Sequence, residues 1–282
     1  ESVTNWCLTL PNPLCNPQPS DLRGAGPNNF FRIAAPDPIQ GRAIARYMAN
    51  SLKIRRAAAF TLSDDFDDVT LSMFAEEFKR DGGDLVLSET LPPKTANFGP
   101  FLQAARSHGA EAIFAATEND ACRARAQMNG IFPQGSYFIG MDYLQESDTC
   151  IPNAGDSAEG MLATVSVLDM QSSREPVVMK IAADYRRAYP KSSPIDPYAF
   201  AAYDCTLILI DAITRAVNGN GGGFPTRAQI VDVIAHSKLR GAVGTYSFEA
   251  SGDALSPLMA LYQVKGGKWE YVGQIDASAS PG

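Results

Sequence analysis

Two histidines, five cysteines and a few acidic loops are what this 282-residue chain offers to chemistry. His108 and His236 each close a helical segment, where capping or solvation accounts for them. No serine sits in a G-x-S-x-G elbow, no H-E-x-x-H occurs, and the Cys and His spacings fit neither zinc ligation nor a C-x-x-C redox pair. The run Asn218-Gly219-Asn220-Gly221-Gly222-Gly223 lacks the Lys-Ser/Thr of a phosphate loop and follows a helical pattern, whereas a phosphate loop follows a strand. Asp64-Asp65-Phe66-Asp67-Asp68 lacks the glycine and distal Glu of a calcium loop and reads as a solvated, helix-capping charge run. No catalytic residue, metal ligand or cofactor is called for, which disfavours a hydrolase or a dehydrogenase.

Binding chemistry remains. In open parallel sheets ligands meet the loops at the carboxyl ends of the strands. Here those loops carry Ser63, Asp65 and Phe66, then Thr117, Glu118 and Asn119, then Met141, Asp142 and Tyr143. Three carboxylates and an aromatic ring suit a ligand with a cationic group, held by charge and by a cation-π contact. Each also has a plainer reading. Asp65 and Glu118 can cap the helices they precede, and Phe66 can pack beneath its loop. Asp142 has no clear helix after it and is the hardest to explain in that way.

The elements that would position these loops alternate. Apolar strands fall at 57–61, 85–87, 112–116 and 137–140. Between them lie helical patterns carried by Leu71, Phe74, Ala75 and Phe78, by Phe101, Leu102 and Ala105, and over 119–129. A further helix before the first strand carries Ala43, Ile44, Tyr47 and Met48. Strands alternating with helices predict right-handed crossovers and an α/β, doubly wound parallel-sheet lobe. Residues 1–28, rich in Pro and Asn, form an irregular connector; 29–155 form one lobe, completed by a hairpin within 256–282; 156–255 belong to another. That second stretch predicts a strand over 160–167, then helices near 178–189, 198–217 and 227–237, with a short strand at 245–248.

Composition sets the class. With 45% apolar and 20% charged residues the chain can bury a core, and its net charge of −7 lacks the basic footprint that phosphates demand. Nucleic acid and anionic membrane surfaces are therefore excluded as partners. No apolar run approaches the roughly 18 residues of a spanning helix. The amino-terminal sequence has no basic start or apolar core, so any export signal, or any lipid anchor of a precursor, is expected to have been removed or to lie upstream. Cys7 with Cys15 and Cys122 with Cys150 are candidate disulfides, against the alternative of five reduced cysteines, and Cys205 reads as a buried free thiol. Disulfides point to an oxidising home, periplasmic or extracellular.

In order along the chain, several motifs resemble the branched-chain amino-acid type of periplasmic substrate-binding protein, the solute receptor of ABC importers with the type I fold. They are Phe31-Arg32, Ala35-Pro36-Asp37, Gln40-Gly41-Arg42-Ala43, Asp64-Asp65-Phe66, Phe98, Ala158-Glu159-Gly160 and Tyr203-Asp204. The resemblance implies two lobes joined by three crossovers that close on a small solute. It also implies that Asp142 takes a ligand α-ammonium and that Phe66 covers its side chain. Glu118 stands where the family has an aromatic, and Asp67 where it has glycine. The aliphatic specificity of the best-known members is therefore not carried over. The family chain begins with roughly 100 residues of βαβαβ, half a domain, that have no counterpart here. The first lobe is thus expected to be incomplete in this chain, and an upstream segment, an associated fragment or a second chain is expected to complete it.

The leading expectation is a non-enzymatic receptor that delivers an amino acid or a related small amine-bearing solute to an ABC permease. A free sensory or regulatory module of the same fold is the alternative.

Overall fold

The computed structural model describes residues 29–62, 65–117, 121–171, 173–191, 195–255 and 257–276, with 65–68 described by backbone alone. The connector predicted over 1–28, the Cys7 and Cys15 pair, and Ser63, Glu118 and Asn119 lie outside the described residues.

The first half alternates as the apolar pattern requires: α1 (Asp37–Arg46), β1 (Arg56–Thr61), α2 (Asp65–Arg80), β2 (Asp84–Thr90), α3 (Gly99–Ser107), β3 (Ala112–Ala115), α4 (Ala121–Met128) and β4 (Tyr137–Gly140). Two short helices, α5 (Asp142–Glu146) and α6 (Cys150–Ala154), lead to β5 (Leu162–Val165). Three longer helices follow, α7 (Pro176–Ala188), α8 (Pro197–Gly219) and α9 (Arg227–Ala235). The two-residue strands β6 (Leu239–Arg240) and β7 (Thr245–Tyr246) precede the hairpin β8 (Leu258–Lys265) and β9 (Lys268–Asp276).

The chain divides into two compact units. Pro36–Ser166 and residues 258–276 form a sheet unit; 29–35 with Val167–Pro257 form a helical unit. The chain passes between them three times, at Ala35/Pro36, Ser166/Val167 and Pro257/Leu258.

In the sheet unit the strand order is β2-β1-β3-β4-β5-β8-β9. The pairs among β1 to β5 are parallel, and β8 and β9 extend the sheet antiparallel. Both faces are covered, which is why β3 and the middle of β1 read as continuous apolar runs and not as alternating ones. On one face Phe60 packs against Phe98 and Phe101, with Phe138 and Met161 in the same cluster. In β3, Phe114 has the opposite orientation to its neighbours and stacks on Phe74 of α2 at 4.5 Å. A disulfide joins Cys122 of α4 to Cys150 of α6 across 28 residues, the second of the two predicted pairs. Closing a loop of that length contributes about 3–4 kcal/mol by the chain-entropy argument.

Two predicted boundaries move. β5 pairs with both β4 and β8, so the sheet unit runs to Ser166 and not to 155. The change of texture after Cys150 marks short helices before the last parallel strand, and the passage out of the lobe comes later. Residues 29–35 belong to the helical unit, because Arg32 pairs with Asp253 at 2.8 Å and Phe31 meets the edge of Phe248 at 5.1 Å. The backbone there makes one isolated bridge, Arg32 with Asp253.

In the helical unit, Asp196 caps α8 by accepting from the Tyr198 N–H, and Thr226 with Gln229 forms a capping box on α9. Phe200, Ala201, Asp204, Ile208, Ala212 and Ala216 line the buried side of α8 at helical spacing. Tyr203, Ile210 and Ile213 recur on the other side, and Ile210 is 55% exposed. Cys205 is exposed and not the buried thiol that its apolar neighbours suggest. An all-round apolar helix does not reveal from sequence which side is covered.

Candidate functional site

Parallel register brings the carboxyl ends of β1, β3, β4 and β5 to one edge of the sheet unit. Ala59 lies opposite Phe114, Phe114 opposite Ile139, and Ile139 opposite Leu162. Thr61, Thr117, Asp142 and Thr164 therefore stand along that edge in strand order. All are buried; Asp142, the carboxylate among them, is only 8% exposed. The Leu62 N–H donates to Thr117 Oγ1 at 3.3 Å and ties the loop after β1 to the loop after β3.

The turn after β4 is built for closeness. A side chain on Gly140 would collide with Leu144, so only glycine lets α5 fold back over the strand end. Asp142 then falls in the first turn of α5, where helix polarity favours a carboxylate. The absence of a following helix, which set Asp142 apart in the sequence, does not hold. The Tyr143 N–H donates to Asp142 Oδ1 at 3.2 Å, and Gln40 Nε2 donates to Oδ2 at 3.4 Å. Asp65 and Phe66 open α2 beside the end of β1, described by backbone alone. Of the predicted site residues, Thr117, Asp142 and Tyr143 are thus seen on this edge with their side chains.

Sequence reasoning missed three polar residues beside Asp142. Gln40 and Thr164 are fully buried and Asp37 nearly so. Gln40 Nε2 donates to Asp37 Oδ1 at 3.2 Å, and Thr164 Oγ1 donates to Gln40 Oε1 at 3.1 Å. The signal was present: Gln40 shares the spacing of the core residues Ala43 and Ile44, and Thr164 interrupts the apolar run of β5. Beside Gln40, α1 and α2 approach so closely that a Cβ on Gly41 would lie 2.7 Å from the Thr70 carbonyl oxygen.

At the amino-terminal edge of the same sheet a cavity of about 600 Å³ is lined by Arg125, Gln134, Asp156 and Glu159 among others. Burial lowers the pKa of the Arg125 guanidinium. Its donors go to the carbonyls of Ser157, Ser136 and Glu159, a structural tie that fixes the turn before β5. Among the described residues no group of three or more His, Cys, Asp or Glu is arranged to hold a metal ion. No helix among them is long and apolar enough to cross a membrane.

A family model described as periplasmic binding protein matches residues 12–268. The chain belongs to that family, and its fold is that of the type I substrate-binding proteins of ABC importers. None of the curated proteins compared with it matches. Among solved structures, the leucine binding protein LivK of Thermotoga maritima is similar at 24% identity with a TM-score of 0.70, over 87% of this chain and 67% of that one. A solute binding protein of an ABC transporter from R. palustris, in complex with benzoate, is similar at 20% identity and a TM-score of 0.67, over 89% and 67%. An ABC transporter substrate-binding protein from Desulfitobacterium hafniense, in complex with Leu, is similar at 18% identity and a TM-score of 0.68, over 86% and 67%. Membership of the family implies an extracytoplasmic location, in keeping with the Cys122–Cys150 disulfide.

Proposed function

We propose that this chain is part of a non-enzymatic, periplasmic or extracellular receptor that closes two lobes on an amino acid or a related amine-bearing solute and delivers it to an ABC permease. The observation that carries the reading is Asp142, a buried carboxylate at the carboxyl end of a parallel strand, oriented by N–H donors on both oxygens. A carboxylate so placed attracts an ammonium group strongly because little water competes with it. Thr117 and Tyr143 on the same edge add polar and aromatic contacts; Asp65 and Phe66 at the start of α2, and Glu118 and Asn119 next to Thr117 in the sequence, complete the proposed ligand contacts. The ligands of the similar structures include both leucine and benzoate, so the amine is the point at issue.

A thermal-shift panel of amino acids, amines and benzoates on the complete protein tests the reading. A cognate amino acid at a hundred times its Kd adds about 2.7 kcal/mol of stability. No shift with any amine-bearing compound would show the ligand class to be wrong.

We further propose that the helical unit is completed by additional chain, an upstream segment or an associated one. The uncovered side of α8 supports this, since a helix apolar on both sides belongs in a covered layer.

A further inference from the structure

Gln40 makes three polar contacts and has almost no freedom left. A primary amide has two N–H donors, and here one goes to Asp37 Oδ1 at 3.2 Å and the other to Asp142 Oδ2 at 3.4 Å. Its oxygen accepts from Thr164 Oγ1 at 3.1 Å. Turned by 180°, the amide would aim its oxygen at two carboxylates, so the network admits one orientation. Gln40 and Thr164 are both fully buried, where each hydrogen bond is electrostatically strong and its loss costly. The three anchors come from different elements: Asp37 from α1, which also carries Gln40, Asp142 from α5, and Thr164 from β5.

We infer that Gln40, locked by the Thr164 hydroxyl, is the residue that positions Asp142 and so sets the preference for an amine-bearing ligand over its amine-free analogue. This rests on the reading of Asp142 as the ammonium partner. A carboxylate offers about four acceptor sites, so protein donors and an ammonium can share it, but only if its plane is fixed. The Tyr143 N–H holds one oxygen from within the same helix, and Gln40 holds the other from outside it. Gln40 also stands between Asp142 and Asp37, so two buried carboxylates share its amide and their mutual repulsion is offset. Thr164 contacts neither carboxylate in this network; its part is to keep the amide nitrogen facing them.

The test uses the complete receptor, the amino acid that gives the largest thermal shift, and its desamino analogue. Calorimetry gives the ratio of their Kd values, which isolates the ammonium contribution from everything else the site does. Thr164→Val keeps the shape and removes the hydroxyl, and it is expected to cut that ratio about fivefold, the worth of one neutral hydrogen bond. Thr164→Ser, which keeps the hydroxyl, is expected to stay within about twofold of the wild-type ratio. A purely structural Thr164 would change stability, or weaken both ligands equally, with the ratio intact, and that result overturns the inference while leaving the ammonium reading standing. A wild-type ratio near one overturns both.

Discussion

Asp204 is the helical unit's counterpart to the network around Asp142, but its work is internal. Fully buried on α8, it accepts from the Ala242 N–H at 2.6 Å, the Val243 N–H at 2.8 Å and the Tyr246 hydroxyl at 3.0 Å. Gly241 lies against its carboxylate with no room for a Cβ. Burial, with the nearby Asp204 charge, pushes the Tyr246 phenol well above its ordinary value, so it stays a donor. Asp204→Ala leaves two backbone N–H groups and a phenol unsatisfied at about 1–3 kcal/mol each. The expected loss in urea unfolding is therefore more than about 3 kcal/mol; a loss within about 0.5 kcal/mol, the usual value at an indifferent surface site, would refute the role. At this scale the sequence was enough to put Asp142 at a sheet edge, because an acid that follows a strand marks one. Gln40 and Thr164 escaped because each sits in an apolar pattern, and only the fold shows which polar atoms in such patterns meet. Cys205 was misplaced for the converse reason: apolar neighbours in sequence do not say that the partner surface is present.

At the scale of elements, the parallel strands and their helices follow from apolar runs punctuated by Gly and Pro, and their order was legible. The passage out of the sheet was not. β5 has four residues, and its membership depends on pairing with β8, nearly a hundred positions later, which no local pattern encodes. The helix α8 carries the sharpest consequence of this scale. Tyr203, Thr206, Ile210, Ile213 and Val217 follow one another at three- and four-residue spacing and carry no charge, opposite the side that packs on Ile234 and Tyr246. If further chain covers that side, Ile210→Glu in the complete protein costs at least about 2 kcal/mol in chemical unfolding, as buried charges do. A change within about 0.5 kcal/mol would mean that Ile210 faces water and that the helical unit needs no such cover.

For the molecule as a whole, three passages of the chain between two units, a doubly covered parallel sheet and a family match over most of the sequence define the class of protein. The proposed account makes Asp142 the group that meets a ligand cation, with Gln40 and Thr164 behind it. The most direct check is a crystal structure of the complete protein with the amino acid that stabilises it most. The account predicts a ligand nitrogen about 2.7–2.9 Å from an Asp142 carboxylate oxygen. A bound ligand whose nitrogen lies elsewhere, with Asp142 meeting only water and Gln40, would contradict it.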